Sequence, residues 1–169
     1  MILTRRHASM QFMQANATRR RAILILGSAA AASIQAQTAK PGTAIHQEVD
    51  FSVGPARIYE ALLDAKQFSA FTGAPAQIQR QPGGSFNLFG GHILGRNIEL
   101  ERNQRVVQAW REVSWPAGVY SLVKFELVAR GSETHLVFDH TGISEDDWGH
   151  LNEGWPLRYW DPLRKYLNA

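Results

Sequence analysis

The sequence predicts an α+β domain: an antiparallel sheet of about six to seven strands, curved around one long C-terminal helix, with two short helices after the first strand. Three observations predict it. Apolar residues alternate with polar ones from about residue 76 to residue 141, the period of half-buried strands. From Trp148 to Tyr166 they recur instead at spacings of three and four, the period of a helix with one covered face. The strand-like stretches are separated by short turns rich in glycine and proline, which suits antiparallel neighbours.

Each element has a local reason. Ile45, Gln47, Val49 and Phe51 alternate with His46, Glu48 and Asp50, which makes Ile45–Phe51 a half-buried strand. Val53-Gly54-Pro55 breaks it, and Pro55 suits the first turn of a helix in which Ile58, Tyr59 and Leu62 share a face up to Leu63. A second short helix, Ala65 to Phe71, stops at Gly73. Strands are then expected over Ala76–Gln81, Ser85–Phe89, His92–Glu101, Arg105–Val113, Val119–Arg130 and Glu133–Thr141. Turns at Pro82-Gly83-Gly84, Gly90-Gly91, Trp115-Pro116-Ala117-Gly118 and Gly131-Ser132 join them. Ser144 is a good N-cap, and Glu145, Asp146 and Asp147 in the first turn meet the positive end of the helix dipole. Trp148, Leu151, Trp155, Tyr159, Leu163 and Tyr166 form the covered face, and Pro156 and Pro162 should bend the helix.

Strand alternation assigns faces. Val123, Phe125, Leu127 and Ala129 read as inward, as do Thr134, Leu136, Phe138 and His140. In His92–Glu101 the set His92, Leu94, Arg96, Ile98 and Leu100 reads as inward, leaving Asn97 and Glu99 outside. Three polar side chains, His92, Arg96 and His140, therefore fall on a face that should be buried, where each needs a partner, water or a ligand. With Phe86, Trp110 and Phe125 from the sheet and Trp148, Trp155 and Tyr159 from the helix, they describe an aromatic pocket for a small hydrophobic or aromatic molecule.

The chain has 169 residues, 44% apolar and 20% charged, enough for a single domain. Its formal charge of +3 is not a nucleic-acid footprint. Five of the eighteen basic residues, and no acid, lie in residues 1–36, which leaves thirteen basic residues against fifteen acids in the remainder. No cysteine is present, so disulfides and thiolate metal sites are excluded. His140 and His150 in Phe138–Trp155 lack metal-ligand spacing, no HExxH occurs, and neither a metal nor a cofactor is expected. No G-x-S-x-G or phosphate-cradling loop occurs either.

The stretch Thr18–Ala39 places Arg19-Arg20-Arg21 before an apolar run of about fifteen residues and then small residues, the layout of an export signal. The run is shorter than the roughly 20 residues that a spanning helix needs. It resembles a twin-arginine signal. Residues 1–39 are therefore expected to be a leader and residues 40–169 a single domain in the bacterial periplasm, with no membrane contact once the signal is removed. An uncleaved signal would instead anchor the domain to the inner membrane.

Several segments together resemble a known family. They are Val53–Leu62, Pro82-Gly83-Gly84-Ser85-Phe86, Phe89-Gly90-Gly91 with Gly95, Val106–Arg111 followed by Trp115-Pro116, and His140-Thr141-Gly142 with Gly154-Trp155. In order and spacing, over about residues 44–168, they are similar to homologues of the C-terminal domain of the activator of heat-shock-protein ATPase, within the START-like helix-grip (SRPBCC) superfamily. The resemblance implies a curved sheet gripping a C-terminal helix, with a cavity between. It carries no shared catalytic set. Three functional classes stay open: a binding module, a cyclase- or hydratase-type enzyme using His140, His92 or Arg96, and a co-chaperone-like interaction domain.

Overall fold

The computed structural model describes residues 43–169; the predicted leader lies outside the described residues. The chain forms β1 (Ala44–Phe51), α1 (Pro55–Leu63), α2 (Ala65–Thr72), β2 (Gln77–Ile78), β3 (Ser85–Leu88), β4 (Ile93–Glu101), β5 (Arg105–Glu112), β6 (Ser121–Arg130), β7 (Glu133–Thr141), α3 (Glu145–Trp155) and α4 (Asp161–Leu167). All strands pair antiparallel in one sheet of order β1-β7-β6-β5-β4-β3-β2. The sheet curves around the C-terminal helix, as the helix-grip expectation requires.

The predicted alternation holds on three strands. Ile45, Val49 and Phe51 of β1, Val123, Phe125 and Leu127 of β6, and Leu136, Phe138 and His140 of β7 are all buried. Ala129 is the exception and is exposed where β6 runs out towards the Gly131-Ser132 turn. The short helices also form as expected. Pro55 occupies the first turn of α1, and the Asp64 carboxylate caps α2 by accepting from the Lys66 and Gln67 amides. Ser144 caps α3, its hydroxyl oxygen accepting from the Asp147 amide at 3.1 Å.

β4 corrects the sequence reading. Ile93, Gly95 and Asn97 are the buried residues, whereas His92, Arg96 and Ile98 are exposed. Two local irregularities explain the inversion. The Phe89–Gly91 turn is a 3-10 turn with Phe89 and Gly90 at positive φ, and His92 has helical dihedrals, so the strand begins only at Ile93. The pairing register then slips between Asn97 and Glu99, which leaves Ile98 unpaired in a bulge. A bulge reverses the faces beyond it. Leu100 thus faces the interior although Leu94 and Ile98 do not.

Asn97 is fully buried, so its amide must be satisfied inside the protein. Its Nδ2 donates to the Gln79 carbonyl at 2.9 Å, and its Oδ1 accepts from Gln108 Nε2 at 2.9 Å. Its backbone N–H and C=O bond to Gly84 and Gly83, which pins the β2–β3 turn on β4. The Gln79 carbonyl is taken by the Asn97 side chain, and the strand expected over Ala76–Gln81 shortens to Gln77–Ile78, with Gln79, Arg80 and Gln81 exposed.

The C-terminal helix is continuous but not uniform. Pro156 has no N–H for the Asn152 carbonyl. That carbonyl accepts instead from Gln47 Nε2 of β1 at 3.0 Å. Pro156–Trp160 then forms a π-turn, in which the Asp161 N–H bonds to the Pro156 carbonyl. The wider turn brings two consecutive aromatic residues, Tyr159 and Trp160, onto the buried face. The Trp160 indole N–H donates to Gln47 Oε1 at 2.6 Å. Gln47 therefore satisfies the helix at the place where proline interrupts it.

Gly95 is the one strand glycine that packing requires. A Cβ there would lie 2.2 Å from the Ala109 carbonyl oxygen and 2.2 Å from the Phe86 ring, which rests on the bare backbone. Gly95→Ala is expected to destabilise the domain by about 1–3 kcal/mol through overpacking. Urea denaturation should show a lower midpoint at unchanged slope. An unchanged midpoint would contradict the packing described for Phe86.

Candidate functional site

The interior beneath the helix is filled. Phe125, Phe138, Trp155, Tyr159 and Trp160 pack ring against ring, with centroids 4.2 Å apart for Phe138 and Trp155 and 4.5 Å for Trp155 and Tyr159. The open space lies to one side of this stack. A cleft of about 530 Å³ runs between the Phe89–Ile93 segment, the end of β5, and the face of the C-terminal helix from His150 to Tyr159. Phe89, Ile93, Trp110, Leu151, Trp155 and Tyr159 supply its walls; His92, Glu112, His150, Glu153, Leu157 and Arg158 also line it.

The predicted site residues divide between these places. Trp110, Trp155 and Tyr159 line the cleft, and so does His92, from the turn before β4. Phe125 and His140 lie in the packed interior beneath. Phe86 covers Gly95 and does not reach the cleft. Trp148 is half-buried and donates to the Ala44 carbonyl at 2.8 Å, tying α3 to β1. Arg96 is on the outer face, where Nη1 donates to the Gly83 carbonyl at 2.9 Å. The expected inward grouping of His92, Arg96 and His140 therefore does not form, because the β4 bulge and the preceding turn direct two of the three away from the interior.

Sequence reasoning missed several lining residues. Leu151, Trp155 and Arg158 share one helix face at spacings of four and three, and that period could have placed Arg158 beside the tryptophan. His150, outside the apolar face that runs through Leu151 and Trp155, sits at the cleft edge, within 3.1 Å of Glu112. Phe89 carries no sequence signal, because only its positive φ aims the chain across the cleft.

His140 holds the wall in place from behind. Its Nδ1 accepts from the Trp155 indole N–H at 3.2 Å, so the ring proton must be on Nε2, which donates to Ser121 Oγ at 2.7 Å. The Ser121 hydroxyl in turn donates to the Trp110 carbonyl at 3.3 Å. One directed chain thus links both tryptophans of the cleft through a neutral imidazole. Burial lowers the His140 pKa from 6.5 to about 4. Among the described residues no group of three or more His, Cys, Asp or Glu could hold a metal ion.

The pH dependence follows in sign. The unfolded histidine takes up a proton near pH 6.5 and the folded one near 4, so this contribution is complete above pH 6.5 and falls as pH drops towards 4. The loss reaches about 3 kcal/mol. The exposed His46–Asp139 pair acts oppositely, since its hydrogen bond raises the His46 pKa, but it is present with or without His140. Urea denaturation at pH 7 and pH 4.5 should show a fall of about 2–3 kcal/mol that is absent in His140→Leu, which starts from lower stability. Equal falls in the two proteins would contradict the neutral-imidazole assignment.

Comparison with known proteins places this architecture. The family model described as Activator of Hsp90 ATPase homolog 1-like protein matches residues 52–168. The human protein named Activator of 90 kDa heat shock protein ATPase homolog 1 is 26% identical over 115 residues, covering 68% of this chain and 34% of that protein. A Dictyostelium discoideum homologue of the same name type is 30% identical over 129 residues, covering 75% and 34%. The chain thus spans about a third of the length of the curated relatives it matches. A solved structure described as an HSP90 activator from Plasmodium falciparum superposes with a TM-score of 0.70 at 25% identity, over 75% of this chain and 97% of that one. CalU16 from Micromonospora echinospora shares the fold, with a TM-score of 0.65 at 21% identity over 75% of this chain and 76% of that one. By the match over residues 52–168, the chain belongs to the Activator of Hsp90 ATPase homolog 1-like family.

Proposed function

We propose that this domain is a binding module for a small, mainly aromatic molecule, held in the cleft between β4, β5 and the C-terminal helix, and that it works after export to the periplasm. The observation that carries the reading is the cleft itself. Its volume lies within the range of small-molecule sites, and its walls are aromatic and aliphatic with a few polar groups at the edge. The ordered stack behind supplies a rigid wall, so little conformational freedom is lost when a flat molecule binds. The export half of the reading rests on the basic and then apolar layout of Thr18–Ala39. Its check is cell fractionation, with recovery of the full-length chain only in the cytosol as the contrary result.

A second reading is contact with a chaperone, as the names of the eukaryotic relatives indicate for those longer proteins. The exposed Val119, Tyr120 and Leu122 on and before β6 favour a protein-facing surface. Stimulation of ATP hydrolysis when the domain is added to purified Hsp90 is the measurement that would support it.

Gly154 provides the sharpest test of the cleft. It lines the space, lies inside α3, and a Cβ built there meets nothing within 4 Å. Gly154→Leu should therefore leave the free protein as stable or about 1 kcal/mol more stable, because a helix-interior glycine is replaced, while filling the cleft. A hydrophobic-ligand panel should raise the melting temperature of the wild type by several degrees at saturating concentration. The same panel should leave Gly154→Leu unmoved. Equal shifts in the two proteins would place binding elsewhere, and no shift in the wild type would remove the reading.

A further inference from the structure

The cleft wall contains polar groups that the protein leaves unmatched. Tyr159 stands on the π-turn with its ring held among Phe68, Phe89, Trp155 and Trp160. The residue is 3% exposed; its hydroxyl has no hydrogen-bonding partner among the described residues but keeps contact with solvent at the cleft, whereas the fully buried N–H groups without a partner are those of Trp110 and Trp115. The Trp110 ring lies 6.1 Å from the Tyr159 ring in the same wall, and its buried indole N–H has no acceptor either. At the cleft edge the Arg158 guanidinium is exposed and forms no ion pair among the described residues. Glu112 is engaged by His150, which leaves Glu153 as the unmatched acceptor on the cleft lining. The surplus is therefore of donors, with the Trp110 N–H fully buried and the Tyr159 hydroxyl open to the cleft.

A buried polar group without a partner costs about 1–3 kcal/mol. That cost falls on the Trp110 N–H, whereas the Tyr159 hydroxyl meets the solvent of the cleft; phenylalanine would keep the Tyr159 ring contacts, so the hydroxyl adds nothing to the packing. A hydroxyl that has no protein partner and opens onto the cleft is placed to donate to a molecule that enters it. Burial pushes the Tyr159 pKa up, so the hydroxyl keeps its proton and remains a donor.

We propose that the molecule taken by this cleft carries a hydrogen-bond-accepting oxygen on its aromatic ring system, and that the Tyr159 hydroxyl donates to that oxygen. The inference rests on the cleft being a ligand site. The rings of Phe89, Trp110 and Trp155 receive the flat apolar body, and Tyr159 selects an oxygenated edge over a hydrocarbon one. An ammonium group at that position has no lone pair to accept from the Tyr159 hydroxyl and is disfavoured.

The test uses the full chain and two probes of the same shape, 1-indanone and indane, which differ by a carbonyl in place of a methylene. Calorimetric or NMR titration should show 1-indanone binding about tenfold more tightly than indane to the wild type. In Tyr159→Phe the two should bind within about twofold of one another. The free Tyr159→Phe protein should melt at the wild-type temperature or above it, because no internal hydrogen bond is lost. Equal affinity of both probes for the wild type would overturn the oxygen requirement while leaving the cleft as an apolar site. A preference that survives in Tyr159→Phe would overturn the role given to the hydroxyl, and a clear drop in the melting temperature of the free variant would show that the hydroxyl serves the fold. Binding of neither probe would remove the ligand-site reading together with this inference.

Discussion

The structure depends on one buried contact, the bond from the Trp155 indole to the His140 imidazole. Trp155 is the hub of the aromatic interior, touching Phe125, Phe138, Tyr159 and Trp160 from the helix side. Apolar packing is non-directional and would tolerate several rotations of the helix over the sheet. A hydrogen bond to one nitrogen of one ring is not so tolerant. It fixes the rotation of α3, and with it which side chains overlook the cleft. Because the acceptor must be unprotonated, the same contact makes the fold sensitive to acid.

A second set of polar contacts does the same for the sheet's far edge. Asn97, Gln108 and the Gln79 carbonyl form a buried chain that folds the β2–β3 hairpin onto β4. Gln47 serves the other edge, filling the gap left by Pro156 and receiving the Trp160 N–H. In each case a backbone irregularity, a bulge or a proline, is matched by an amide side chain that supplies the missing partner. Trp110 and Tyr159 are the contrast. Their polar groups lack such partners among the described residues and border the aromatic cleft; the Trp115 N–H is also buried without a partner but lies outside the cleft lining, so an unmatched group is a candidate functional one only where the cleft adjoins it.

Much of this architecture was legible in the sequence. β7 forms over the expected Glu133–Thr141, and period-two reading put His140 inside. The helix face was right at Leu151, Trp155, Tyr159 and Leu163. What was not legible depends on single-residue insertions into a regular pattern. Three apolar residues at alternate positions, Leu94, Ile98 and Leu100, gave β4 a plausible inward face, and only pairing with β5 reveals that Ile98 is a bulge. His92 and Arg96 were misplaced for that reason. Trp160 was missed because a helix of ordinary pitch turns it away from Tyr159, and only the π-turn brings both inside. Tertiary hydrogen bonds, such as Trp155 to His140 across fifteen residues, leave no periodic trace at all.

The central physical claim is that His140 is a neutral acceptor that fixes the helix on the sheet. Its most direct measurement is the long-range proton–nitrogen NMR spectrum of the imidazole at neutral pH. The account predicts the Nε2–H tautomer, with a bare Nδ1 and a hydrogen-bonded Trp155 indole proton protected from exchange with water. An Nδ1–H tautomer, an imidazolium, or a freely exchanging Trp155 indole proton would contradict it.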